Sequence, residues 1–133
     1  MERKSIMIDM DEVIVKGRFS ELLEEFLGGV DLERLNGFFR QDFIKGKEEE
    51  FKKIYAFENL YKKNDGSFIE PLSNCIEVMK KLNKDYDIYI VTSYVWRENV
   101  LDAAHNLKYK YEYLRHFFPF IDCNNLIFIS YKN

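Results

Sequence analysis

Short apolar runs alternate along this chain with stretches whose apolar residues recur every three or four positions. Ile6-Met7-Ile8, Ile88-Tyr89-Ile90-Val91 and Leu126-Ile127-Phe128-Ile129 are too short for stable helices and read as buried strands. Between the first two strands, Leu72, Ile76, Met79 and Leu82 space out one helix face behind Ser73. After the second strand, Val100, Leu101, Leu107, Tyr111 and Leu114 predict one or two helices across residues 97–118. Strands alternating with helices imply βαβ units and a parallel sheet.

The stretch from Gly17 to Glu70 has a different period. Leu22, Leu23, Phe26 and Leu27 follow Ser20 at helical spacing and stop at Gly28-Gly29, a helix-ending pair. Leu32 and Leu35 predict a short second helix ending near Gly37. Phe51, Ile54 and Tyr55 share a third helical face behind the acidic run Glu48-Glu49-Glu50. Acids there suit the positive end of a helix dipole, and a charge run of this kind reads as a solvated first turn. Asn64-Asp65-Gly66-Ser67 is a turn signal, and Pro71 closes the region. The segment reads as a small helical insertion after the first strand.

Composition narrows this picture without redirecting it. The 133 residues amount to one domain, 47% hydrophobic and 32% charged, in the range of globular proteins. A net charge of −3 gives no reason to expect a nucleic-acid polymer or an anionic membrane as a partner. No apolar run reaches the ~20 residues of a membrane span. The chain enters its first strand directly after Met1-Glu2-Arg3-Lys4, with no signal-peptide pattern. Cys75 and Cys123 lack metal-ligand spacing and read as buried or partly buried thiols in a reducing cytoplasm. His105 and His116 have no acidic or cysteine partner at ligand spacing and read as surface or helix-end residues.

The chemistry sits where the strands end. In open α/β sheets, ligands bind beyond the carboxyl ends of the strands, and there the first strand carries Asp9 and Asp11. A carboxylate at Asp9 can attack a phosphoryl group, and one at Asp11 can protonate the leaving oxygen and then activate water. Acids and substrate being anionic, a magnesium ion is needed between them. The plainer reading of the pair is a polar exit from the strand. The second strand ends in Thr92-Ser93, whose hydroxyls can donate to a phosphoryl oxygen or cap the following helix. The third is followed by Lys132. An attacking acid, a hydroxyl donor and an ammonium on one rim make up the constellation that phosphoryl transfer needs.

Together these stretches resemble the haloacid dehalogenase (HAD) superfamily, and within it the 5'(3')-deoxyribonucleotidase-like group. Ile8-Asp9-Met10-Asp11-Glu12-Val13, Ile88-Tyr89-Ile90-Val91-Thr92-Ser93 and Tyr113-Leu114-Arg115-His116-Phe117-Phe118-Pro119-Phe120 carry the resemblance. It implies an α/β fold: a three-layer Rossmannoid sandwich around a parallel sheet. Residues 1–16 and 71–133 would form the core, and 17–70 a helical cap over the substrate base. It implies Asp9 as nucleophile and magnesium ligand, and Asp11 as acid/base with its backbone carbonyl on the metal. Thr92 and Ser93 would hold phosphoryl oxygens, and Lys132 would tie the phosphate to the nucleophile. Phe38, Phe39 and Phe43 could stack a base, or form the cap's own core. The implied activity is magnesium-dependent hydrolysis of a small phosphate ester, a (deoxy)nucleoside monophosphate, through an aspartyl-phosphate.

Two departures temper that expectation. Lys16 stands where the group usually carries another acid. The group's fourth motif, an acidic pair on a fourth strand, lies beyond the 133 residues, so the core is expected to lack its C-terminal strands and catalysis to be impaired. The competing reading is a non-catalytic HAD remnant that binds nucleotide or a protein partner. A phosphoacceptor signalling module fits less well, since it has no helical insertion after its first strand. In the group's sheet the first strand lies between the second and the fourth, so here it is expected at an edge, where Ile6-Met7-Ile8 has no protective proline or inward charge. The chain is therefore expected to form a homo-oligomer or aggregate. Sedimentation equilibrium checks this, and a clean monomer at high micromolar concentration is the contrary result.

Overall fold

The computed structural model describes residues 3–11, 13–16, 18, 24, 25, 28, 46, 47, 60–63, 65–94 and 103–130. They form strand β1 (Lys4–Asp9), helix α1 (Cys75–Asp85), strand β2 (Tyr86–Ser93), helix α2 (Ala103–Phe117) and strand β3 (Leu126–Ile129), with a 3-10 turn at Cys123–Asn125 before β3. The strands lie in the order β1-β2-β3, and both pairings are parallel. Both helices pack on one face of the sheet, where Met79 of α1 and Tyr113 and Leu114 of α2 share one cluster with Ile88 and Ile90. The described residues thus form two layers of an α/β fold.

Strand alternation decides which residues meet those helices. Ile6 and Ile8 pair with Ile88 and Ile90, and Ile90 pairs in turn with Leu126. On this face Ile88, Ile90 and Thr92 are buried together with Met79 of α1 and Tyr113 and Leu114 of α2. Ile8, Leu126 and Phe128 pack against the same cluster. Met7, on the opposite face, is 72% exposed. Asp9 pairs with Val91, so the acidic pair and Thr92-Ser93 emerge at the same end of the sheet.

Helix α1 runs straight into β2, the N–H of Tyr86 donating to the Leu82 carbonyl. The Arg3 guanidinium donates to the carbonyls of Lys84, Asn83 and Tyr86 at 3.2, 2.7 and 2.7 Å. It satisfies acceptors that a helix end leaves open. Ile76 and Leu82 pack on the core as expected, while Leu72 precedes the helix, is exposed, and donates its N–H to the Ile14 carbonyl. Asn74, in the left-handed region at φ 64°, occupies the N-cap, and its side chain makes no capping bond.

Other expectations shift by a residue or a face. The buried side of α2 is Asn106, Lys110, Tyr113 and Leu114, whereas Tyr111, expected in the core, is exposed. Cys123 is exposed and only Cys75 is partly buried; burial pushes the Cys75 thiol up. The expected turn at Asp65-Gly66-Ser67 is present: Asp65 Oδ1 accepts from the Ser67 N–H at 2.9 Å and hydroxyl at 2.6 Å, and Gly66 takes φ +86°. Those bonds hold the Asp65 carboxyl below its ordinary value. His105 and His116 are exposed as expected. Nearly all of the expected cap, with the apolar residues of its three helices and Phe38, Phe39 and Phe43, lies outside the described residues, as do Val100, Leu101 and Lys132, while Glu24 and Glu25 of the first expected helix are helical. Among the described residues no helix is long and apolar enough to cross a membrane.

Tyr113 provides a test of this core. It is 0% exposed, packs on Tyr61 and Phe117 at 5.5 and 5.0 Å between ring centroids, and its hydroxyl has no partner among the described residues. Burial, reinforced by Cys75 and Glu70, holds the phenol well above its ordinary value. Tyr113→Phe is expected to leave stability unchanged or raise it by up to about 1 kcal/mol, because it removes an unpaired buried group. A folded-state pKa above the unfolded one contributes stability in full below about pH 10 and loses it as the pH rises further. Urea unfolding of the two proteins across alkaline pH should therefore show a decline in the wild type that is smaller in Tyr113→Phe.

Candidate active site

The site is built on the turn that follows β1. The Met10 carbonyl accepts from the N–H groups of Val13, Ile14 and Val15 at 3.3, 2.8 and 3.3 Å. Met10, Ile14 and Val15 are fully buried, so the turn is anchored by its apolar side chains and its polar ones are left at the rim. Asp9 is exposed there, and its Oδ1 accepts the Met10 N–H at 2.8 Å. Asp11, two residues on, has a side chain 45% exposed.

Asp11 is held at both oxygens. The Tyr61 hydroxyl donates to Oδ1 at 2.7 Å, and the Lys110 ammonium donates to Oδ2 at 2.6 Å. Lys110 also donates to the Thr92 hydroxyl oxygen at 2.8 Å. Its side chain is 3% exposed, and an ammonium so deep in the protein has to be paired. One turn before it on α2, the buried Asn106 donates from Nδ2 to the Tyr94 carbonyl at 2.9 Å. Tyr94 donates its N–H to the Ile129 carbonyl. This ties α2 to the ends of β2 and β3 and fixes where Lys110 enters the site.

The structure thus brings together Asp11 and Thr92, with Asp9 at the end of the strand beside β2. Thr92 is fully buried and accepts from a lysine. Ser93 is half-buried at the rim. Sequence reasoning missed two residues, Lys110 and Tyr61. A signal for Lys110 was present, since Asn106, Lys110, Tyr113, Leu114 and Phe117 have helical spacing, and a lysine amid that stripe is out of place on an apolar face. Tyr61 had no comparable signal, because its partner lies 50 residues away in sequence.

Comparison with known proteins places the chain in a family. The family described as 5' nucleotidase, deoxy (pyrimidine), cytosolic type C protein matches residues 3–133. The chain belongs to this family of HAD-type nucleotidases. A Staphylococcus aureus (strain Mu50) relative named "Putative 5'(3')-deoxyribonucleotidase" is 31% identical over 137 residues, covering 100% of this chain and 69% of the relative. A Staphylococcus epidermidis relative of the same name is 30% identical over 136 residues, covering 100% and 70%. The 5'(3')-deoxyribonucleotidase of Bacillus subtilis (strain 168) is 29% identical over 139 residues, covering 98% and 70%.

HAD-type nucleotidases imply a divalent metal, and the donors present can be judged against one. Among the described residues no group of three or more His, Cys, Asp or Glu side chains could hold an ion. The oxygens at the rim fit in kind: the Asp9 carboxylate and the Asp11 main-chain carbonyl are hard donors of the type magnesium takes, and it commonly binds one or two carboxylates beside substrate phosphate and water. The Asp11 carboxylate is otherwise engaged, with an ammonium on one oxygen and a phenol on the other.

The pairing of the buried Lys110 with the half-exposed Asp11 makes an asymmetric prediction for this nucleotidase. Lys110→Met removes the charge and keeps the volume, and stability is expected to stay within about 1 kcal/mol of wild type or to rise. Asp11→Ala strands the ammonium inside the protein and should cost about 3 kcal/mol. Chemical denaturation of the two variants checks both values.

Proposed function

We propose that the chain is a magnesium-dependent phosphatase that hydrolyses (deoxy)nucleoside monophosphates through an aspartyl-phosphate on Asp9. The observation that carries the reading is the buried Lys110 joining Asp11 to Thr92 at 2.6 and 2.8 Å, beside the strand end that bears Asp9. A carboxylate next to a fixed hydroxyl and a fixed cation suits a reaction whose catalysis is chiefly positioning and charge stabilisation. The names of the relatives support the substrate class.

In this proposal the Asp9 carboxylate attacks phosphorus while the bond to the leaving oxygen breaks. Asp11 gives that oxygen its proton. Asp11, now a carboxylate, takes a proton from a water that attacks the aspartyl-phosphate, and phosphate leaves as the bond to Asp9 breaks. Thr92, Ser93, Lys110 and Lys132 hold the phosphoryl oxygens. The Asp9 carboxylate and the Asp11 carbonyl would hold magnesium, which would supply charge neutralisation. Residues 17–70 form the cap, where Phe38, Phe39 and Phe43 stack the base. The enzyme works in the cytoplasm on a small phosphate ester. It also associates with its own kind, a reading supported by the place of β1 at the end of the described strand order and by the exposure of Met7.

Turnover of p-nitrophenyl phosphate and of a deoxyribonucleoside monophosphate is expected to require magnesium and to vanish in Asp9→Asn, which keeps the size and removes the nucleophile. Lys110→Met is expected to lose about 10²–10³ in kcat, the cost of one preorganised donor. Activity that survives both a chelator and Asp9→Asn overturns the reading. A panel in which sugar phosphates raise the melting temperature and nucleotides do not overturns the substrate class.

A further inference from the structure

Tyr61 enters the site from outside the strand-end residues. It is 2% exposed, and its ring packs on the fully buried Tyr113 at 5.5 Å between centroids. Its carbonyl accepts the Ile69 N–H at 2.8 Å, and the neighbouring Leu60 carbonyl accepts from the Arg18 N–H at 3.1 Å. Backbone and ring are therefore both fixed, and the hydroxyl reaches Asp11 Oδ1 at 2.7 Å as the end of a rigid arm. Lys110 takes the other oxygen. Two donors from separate elements define the plane of a carboxylate whose side chain is otherwise half open to water.

We propose that Tyr61 is the positioning residue for the acid/base step: its hydroxyl on Oδ1 of Asp11, opposite Lys110 on Oδ2, fixes the plane in which the carboxyl meets the leaving oxygen. The inference rests on the reading of Asp11 as acid/base. In the first half-reaction the proton of the Asp11 carboxyl moves to the leaving oxygen as its bond to phosphorus breaks. Asp11 is left as a carboxylate still accepting from Tyr61. In the second, the Asp11 carboxylate takes a proton from the attacking water. Tyr61 neither gains nor loses a proton in either half, so it acts only through the orientation of Asp11.

Positioning of an acid shows in how the rate depends on the leaving group. A nitrophenolate departs without being protonated, whereas the alkoxide of a nucleoside needs the proton. The test compares kcat and KM for wild type, Tyr61→Phe, Asp11→Asn and the double variant on p-nitrophenyl phosphate and a deoxyribonucleoside monophosphate. Tyr61→Phe keeps the ring that packs on Tyr113, and circular dichroism verifies the fold. On the nucleotide it is expected to lower kcat about ten- to a hundred-fold, the scale of a small misplacement of a catalytic group, with KM little changed. On p-nitrophenyl phosphate it should lose little, and in the Asp11→Asn background nothing further. Equal losses on both substrates, a loss confined to KM, or full additivity with Asp11→Asn overturns the inference and leaves the phosphatase reading standing. Nucleotide turnover that survives Asp11→Asn, or a wild type that turns over neither substrate, overturns the acid/base reading and the inference with it.

Discussion

A single ammonium group sets the terms for this site. Lys110 lies on the face of α2 that packs against the sheet, in company with Tyr113 and Leu114, where an unpaired charge is too costly to persist. Its position is bearable because Asp11 and Thr92 come to it. Those partners lie 99 and 18 residues away in sequence and belong to the turn after β1 and to the end of β2. One desolvated charge therefore fastens three elements together at the rim, and the fold cannot form fully without assembling the polar cluster.

The cluster rests on ordinary core packing beneath it. Ile88, Ile90 and Thr92 share a face of β2 because strand side chains alternate, and the first two are buried against α1 and α2. Thr92 continues that face one step further, to where the apolar core ends and the rim begins. A hydroxyl there is close enough to the core to be dry and close enough to the rim to meet a lysine. The turn after β1 works in the same way, with Met10, Ile14 and Val15 pointing inward and the two acids at the rim.

The polypeptide that leaves the core after β1 and the one that returns before α1 are bound to each other near the same carboxylate. Arg18 donates to the carbonyls of Leu60 and Lys62, Ile69 donates to that of Tyr61, and Leu72 to that of Ile14. Tyr61 carries this junction to Asp11 through its hydroxyl. The chemistry at Asp11 is thus fixed from the helical layer by Lys110 and from the crossing of the two connecting segments by Tyr61.

The sequence by itself determined the strands, the parallel order of βαβ units and the strand-end placement of Asp9, Asp11, Thr92 and Ser93. These follow from periodicity and chain order, which act over neighbouring residues. It also placed β3 at the residues observed, Leu126–Ile129, because a compact apolar run bounded by polar residues has few other uses. Which face of α2 is buried was decided by packing: Tyr111 fits the helical period as well as Tyr113 does, yet only Tyr113 meets Tyr61, Phe68 and Phe117. The lysine and the tyrosine on Asp11 were likewise decided by the tertiary structure. Their bonds join residues 99 and 50 positions apart, and no local pattern records a contact made only when the helix, the strand end and the returning segment close on the same carboxylate.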